Sequence, residues 1–313
     1  MQSNDKIAII GAGHVGSHVA SECIRQGLVK ELVLIDTDRK KAGGQAADLQ
    51  DAVAYTSRDV HVYEGWYDQI ADAAIAVMCA CATGYESSDR LKELETTLKV
   101  ADEVIAGLHG CGFHGIVVSI SNPCDVIAQY IQSKTGFTAI GTGTALDSAR
   151  FRVRLARALQ VDVSSVQGYC LGEHGDSQVP ALSTVTVGGL PLKAVLNSYP
   201  GIDFESICRN TIKAGWDIVM GKGCTEFGIG TAAARLIRAI LNDEQAILPC
   251  SVMLKGIYGG DGIYASAPCI VGKTGAIPMP EFELDHKELL ALTHSFQVLK
   301  SHLPKEVIQE RKG

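Results

Sequence analysis

The chain has 313 residues, 46% of them apolar and 20% charged, a composition that suits a folded protein of two domains at roughly 150 residues each. Its 28 basic residues against 35 acidic ones leave a net charge of −7, and without a basic tract nucleic acid is excluded as an expected ligand. No apolar run approaches the roughly 18 residues of a membrane span, and MQSNDK runs straight into an apolar strand without room for a secretory leader, so a cytoplasmic protein with no membrane partner is expected.

The first apolar run is KIAII, residues 6–10, followed by GAGHVG and a segment of helical spacing, HVGSHVASECIRQG. ELVLI at 31–35, AIAVMC at 74–79 and GIVVSIS at 115–121 are further short runs rich in Val and Ile, and the helical segment DRLKELETTLKVADEVIAGLHG separates the last two. Continuous runs without alternation suit parallel strands covered on both faces. Their interleaving with helices predicts an α/β fold built on a Rossmann-type doubly wound parallel sheet. Near Gly143 the pattern becomes less regular: VQGYCL, ALSTVTVGG and residues 246–271 read as strands, and 203–220, 226–241 and 285–302 read as helices. We therefore expect a doubly wound domain over 1–142 and an α+β domain over 143–313, sharing a cleft.

GAGHVG places Gly11, Gly13 and Gly16 in the G-x-G-x-x-G spacing between a strand and a helix. The first glycine permits a tight turn, the second lets backbone approach a pyrophosphate, and the third lets helix and strand pack closely. The next strand ends at Asp36, 20 residues after Gly16, where a carboxylate can accept the ribose hydroxyls of an adenosine. That charge also repels a 2′-phosphate, so NAD is preferred over NADP, with Arg39 and Lys40 as the opposing charges. A second phosphate loop at VGKTG fails, because its upstream glycine position reads Ala267. The ten cysteines are scattered without a C-x-x-C pair, and they read as reduced thiols. His14 and His18 share a helix face, and Cys79 and Cys81 share a strand end. With no further ligands in sequence both pairs read as structural, and no metal site is assigned.

Polar residues interrupt the apolar pattern at GYESSDR, ending in Arg90, at SNPCD with Asn122, at GTGTALDSAR with Asp147 and Arg150, and at LGEHGDSQ with His174. Each alone suits a loop or a helix cap. Behind a nicotinamide site they supply what reduction of a 2-oxo acid needs: a planar two-donor fork for the carboxylate, a proton donor with a pKa near neutrality, and a cation for the charge developing on the carbonyl oxygen.

On these residues the chain resembles the NAD-dependent L-lactate and L-malate dehydrogenase family over essentially its whole length. The matching stretches are GAGHVG with Asp36, DRL, SNP, LDSAR, GEHGDS and GKGCT. GFHGIVVSISNPCDVI, CLGEHGDSQ and GKGCTEFGIGTAAARL are especially similar to the L-2-hydroxyisocaproate dehydrogenase branch. The resemblance implies that His174 is the acid/base, Asp147 its carboxylate partner, Arg150 the substrate fork, and Arg90 a cation that enters on loop closure. It implies that Asn122 bonds the substrate oxygen and lies at the cofactor, and that Thr225 lines the pocket beside the nicotinamide. The glycines around His174 are expected to let backbone and imidazole approach a small substrate.

The resemblance also implies that Gly84 occupies the substrate-selecting loop position and Gly215 the pocket wall, so neither position carries a side chain or a charge. A roomy uncharged pocket for aliphatic side chains follows, which favours a 2-hydroxyisocaproate-type L-2-hydroxy acid dehydrogenase. L-lactate dehydrogenase is the alternative, and an NAD-binding sensor or structural protein is the non-catalytic one. The resemblance further implies a homotetramer or dimer. The arginine of a family sugar-phosphate site is matched by Arg152, but its histidine position reads Gln167.

Overall fold

The computed structural model describes residues 3–81, 90–305 and 307. Strands and helices alternate through the first half: β1 (Ser3–Ile10), α1 (His14–Arg25), β2 (Glu31–Ile35), α2 (Arg39–Ala52), β3 (His61–Glu64), β4 (Ala73–Met78), α3 (Arg90–Gly110), β5 (Ile116–Ser119), α4 (Cys124–Thr135) and β6 (Ala139–Gly141). The six strands pair in parallel in the order β6-β5-β4-β1-β2-β3. This is the doubly wound arrangement in which a ligand lies across the carboxyl ends of the strands where the order reverses, here between β1 and β4. Burial follows: all six residues of β4 and Ile7 to Ile10 of β1 lie inside.

The second half contributes α5 (Ala145–Leu159), β7 (Val166–Leu171), β8 (Val179–Val187), β9 (Leu190–Pro191), α6 (Leu192–Val195), α7 (Phe204–Lys222), α8 (Phe227–Leu241), β10 (Ala246–Lys255), β11 (Asp261–Gly272), β12 (Gly275–Pro278) and α9 (His286–His302). Strands β7, β8 and β9 form a separate antiparallel sheet. Strands β10, β11 and β12 instead extend the large sheet beyond β6 in antiparallel fashion, through the Ser251–Gly141 pair, to make nine strands. The two halves are thus joined by backbone pairing as well as by packing. Gly230 of α8 brings that helix close to α1, where an added Cβ would stand 3.0 Å from the Cβ of His18. Among the described residues no helix is long and apolar enough to cross a membrane.

Strands β3 and β6 were not marked by the sequence pattern. HVYE has polar residues at both ends because it is an edge strand, and AIG is only three residues long. GKTG is a hairpin turn between β11 and β12, closed by the Gly272–Gly275 pair, and Ala267 lies inside β11.

Candidate active site

The glycine loop follows β1 at its carboxyl end. Gly11 has φ +103, where only glycine is comfortable, and an added Cβ there would meet backbone of Ala80 at 2.5 Å. A Cβ on Gly16 would lie 1.9 Å from the carbonyl oxygen of Gly11, so α1 packs against the loop itself. Gly13 differs: a Cβ there meets nothing within 4 Å. This bare face lies beside the start of α1, which has neither a side-chain cap nor an acidic residue in its first turn. Free N–H groups and the positive end of the helix dipole are therefore available to an anion, as a pyrophosphate requires.

Asp36, just past β2, reaches back to this loop. Its Oδ2 accepts from the Ala12 N–H at 2.8 Å, its Oδ1 from the Asp38 N–H at 2.9 Å, and Lys41 Nζ lies 2.9 Å from Oδ2. Burial works against its ionised form, but Lys41 and the two backbone donors outweigh it and hold its pKa below the ordinary value. Arg39 is drawn away to Glu64 at 2.6 Å, so the cation beside Asp36 is Lys41, which the sequence reading did not name.

The second cluster is built on α5. Asp147 and Arg150 stand three residues apart on one helix face, and Arg150 Nη1 donates to Asp147 Oδ1 at 2.9 Å. The other oxygen, Oδ2, lies 2.6 Å from His174 Nδ1, from the loop after β7. The Asp147 side chain is 1% exposed and that of His174 is 23% exposed. Asp147 is thus a buried carboxylate held by two cations, while the imidazole keeps an accessible edge. Burial alone pushes Asp147 up, but His174 and Arg150 hold it below the usual carboxylate value. Burial likewise depresses His174, and the charge and hydrogen bond of Asp147 overcome it, raising the imidazole to about 9.

A second carboxylate fixes the same loop. Asp125 Oδ2, in the first turn of α4, accepts the backbone N–H of His174 at 2.8 Å, and burial pushes Asp125 up to about 6. The sequence reading passed over this residue, although a charged side chain in the first turn of an apolar, buried helix was a signal. The flanking glycines are required by protein contacts of their own. A Cβ on Gly172, at φ +85, would strike Ser295 Oγ at 2.4 Å, and one on Gly175 would meet the Glu173 carboxyl carbon at 2.7 Å. That carboxylate in turn accepts from the N–H of Ser177 at 3.2 Å.

The structure brings His174, Asp147, Arg150 and Gly215 together: a Cβ on Gly215 would lie 3.6 Å from Arg150 Nη1 and 3.9 Å from Nη2. Gly11, Gly13 and Gly16 lie together after β1, and Asp36 reaches them from the end of β2 through the Ala12 N–H. Asn122 is exposed just past β5, and Thr225 is half-buried between α7 and α8. Arg90 begins α3, but its side chain and Gly84 lie outside the described residues.

The profile of the lactate/malate dehydrogenase NAD binding domain matches residues 5–139, and that of the lactate/malate dehydrogenase alpha/beta C-terminal domain matches residues 144–310. L-lactate dehydrogenase 2 of Lactococcus lactis subsp. lactis is 40% identical over 301 residues, 94% of this chain and 96% of that protein. The minor L-lactate dehydrogenase of Enterococcus mundtii in its ligands-bound form superposes with a TM-score of 0.92 at 35% identity, covering 96% of this chain and 98% of that one. The lactate dehydrogenase of Cryptosporidium parvum, complexed with lactic acid and nicotinamide adenine dinucleotide, gives 0.88 at 28% identity, covering 96% and 98%.

Proposed function

The chain belongs to the lactate/malate dehydrogenase family, and from that premise we propose that it is an L-lactate dehydrogenase interconverting pyruvate and L-lactate. Its cofactor is NAD, and the bare face at Gly13 beside the uncapped start of α1 fits the dinucleotide. The observation that carries the reading is the His174–Asp147–Arg150 cluster, a raised imidazole and a guanidinium sharing one buried carboxylate.

In the direction of reduction, bound NADH supplies the hydride for the substrate carbon. His174, charged near neutral pH, gives its second ring proton to the carbonyl oxygen, because Nδ1 is committed to Asp147. Asp147 keeps the ring oriented and the imidazolium stable, and the ring is neutral once the hydroxy acid has formed. Arg150 offers its remaining donors to the substrate carboxylate. Asn122 bonds the substrate oxygen, Thr225 lines the pocket, and Arg90 polarises the carbonyl. The reverse reaction uses the same groups with neutral His174 as base.

One observation favours a second reading on substrate size. Gly215 leaves the space beside the Arg150 guanidinium free of a side chain, which suits a longer aliphatic substrate of the 2-hydroxyisocaproate type. We extend the proposal to residues 1–142 as the NAD-binding domain and 143–313 as the catalytic domain, to a cytoplasmic location, and to a homotetramer or dimer. The exposed Trp216 and Met220 of α7 and Phe227 of α8 support the assembly.

NADH absorbance decay with pyruvate, 2-oxobutyrate, 2-oxoisocaproate and oxaloacetate tests the whole reading. Highest kcat/KM with pyruvate is expected. Highest kcat/KM with 2-oxoisocaproate would move the protein to the second reading, and no decay with any of them would leave an NAD-binding sensor or structural protein.

A further inference from the structure

His14 is the first residue of α1, directly after the glycine loop, and Cys224 and Glu226 lie in the short segment between α7 and α8. More than 200 residues of sequence separate the two, yet one ligand atom from each of His14, Cys224 and Glu226 lies within 4.8 Å of the others. His14 Nδ1 is 3.1 Å from Glu226 Oε2. Lys222 ion-pairs with the opposite oxygen, Oε1, which leaves Oε2 facing the histidine. His18, one helical turn on, directs Nδ1 to the His14 carbonyl oxygen at 2.9 Å and stands 3.6 Å from Oε2, so it lines the cluster from behind.

We propose that His14, Cys224 and Glu226 form a binding site for a divalent cation of the zinc class. One imidazole nitrogen, one thiolate and one carboxylate are a borderline-soft donor set, which selects zinc over magnesium or calcium. Bond lengths of about 2.0–2.3 Å place tetrahedral ligands roughly 3.3–3.7 Å apart. The observed spread needs only a small contraction, which His14 can supply because its side chain is 77% exposed, while Glu226, 11% exposed, stays fixed. Three protein ligands leave a fourth position for water, the arrangement of an open rather than a closed site. The ion ties the first turn of α1 to the segment that carries Thr225, and so joins the two halves of the chain. In sequence His14 and His18 had no companions; folding supplies them.

The test reads metal occupancy on the intact, EDTA-treated chain, independently of turnover, so its failure does not touch the dehydrogenase reading. With cobalt(II) chloride as probe, one ion per chain and a near-ultraviolet thiolate-to-cobalt band are expected, with displacement by zinc chloride and no competition from magnesium chloride. Cys224→Ser should abolish the band. Cys224→Ser and His14→Gln should each weaken zinc binding by at least the roughly 10- to 100-fold that loss of an outer-shell partner costs. Zinc should also raise the melting temperature of the parent protein but not of either variant. Should Cys224→Ser fail to fold, the exposed His14→Gln decides alone. Zinc binding undiminished in the variants would assign the metal to other cysteines and overturn the site, as would no binding at micromolar metal.

Discussion

The glycine loop and the His174 cluster are built by different physics. The loop is a matter of backbone clearance: Gly11 and Gly16 are five residues apart, and a methyl group on either would enter occupied space. The cluster is a matter of charge: Asp147, Arg150, Asp125 and His174 come from α5, α4 and the loop after β7, and two buried carboxylates act on the imidazole and its loop. A region governed by sterics should be intolerant of a methyl and indifferent to distant charge. A region governed by electrostatics should behave the other way round.

The sharpest break of the comparison is His174→Asn, which keeps size and polarity but removes the proton donor. Reduction should fall by roughly 10² to 10⁴, the ordinary range of general acid catalysis. NADH binding, followed by fluorescence, should stay near that of the parent, because among the described residues the glycine loop is held by Asp36 and Ala80 rather than by His174. Near-parental turnover would take His174 out of the chemistry.

A smaller effect is expected from the carboxylate behind it. With His174 raised to about 9, reduction should hold below that pH and decline as pH rises through it, and oxidation of the hydroxy acid should show the opposite limb. The linked stability has the same sign: it is fully present below the unfolded imidazole value near about 6.5 and is lost as pH rises through the folded one. Asp147→Asn removes the raising charge, so the limb should move down to about 6.5 or below, and at pH 8 reduction should drop by roughly thirty-fold from protonation alone. A limb that stays near 9 in the variant would assign the shift to Asp125 instead.

The difference between the regions also explains what the sequence disclosed. The glycine spacing and Asp36 were legible because the turn, the strand end and the helix start are contiguous, and their sterics can be read from residue types alone. The roles of His174, Asp147 and Arg150 came through resemblance, since nothing local says that positions 147 and 174 meet at 2.6 Å. Asp125 and Lys41 were passed over for the same reason: each matters through a partner that only folding brings near, the His174 backbone and the Asp36 carboxylate. In the fold, long apolar strands were readable, whereas β6 is held by its neighbours in the sheet and carries little pattern of its own.

Gly16→Ala sharpens the steric side. The added methyl group cannot fit 1.9 Å from the Gly11 carbonyl, so α1 must shift, and overpacking of this kind costs about 1–3 kcal/mol. Thermal unfolding should record the loss and NADH affinity should fall with it, while the pH limb of His174 stays in place. A moved limb with unchanged stability would mean that the two regions are not separable.

The smallest effect is expected at Asp36, where the loop meets a charge. Its carboxylate already accepts from Ala12 and Asp38 and pairs with Lys41, so ribose hydroxyls would share a crowded acceptor, and its loss should remove only part of a hold on the cofactor. Asp36→Ala should weaken NADH use modestly and improve NADPH use, narrowing the preference by about ten-fold, a difference of roughly 1.4 kcal/mol. The gain has two sources: a repulsive charge is gone, and Lys41 is released to meet a 2′-phosphate. Removing Lys41 as well separates them. In Asp36→Ala with Lys41→Ala, NADPH turnover should fall back toward the parent while NADH turnover stays where the single variant left it. Equal NADPH turnover in the single and double variants would leave Lys41 as a partner of Asp36 only, and would place the discrimination in the carboxylate alone.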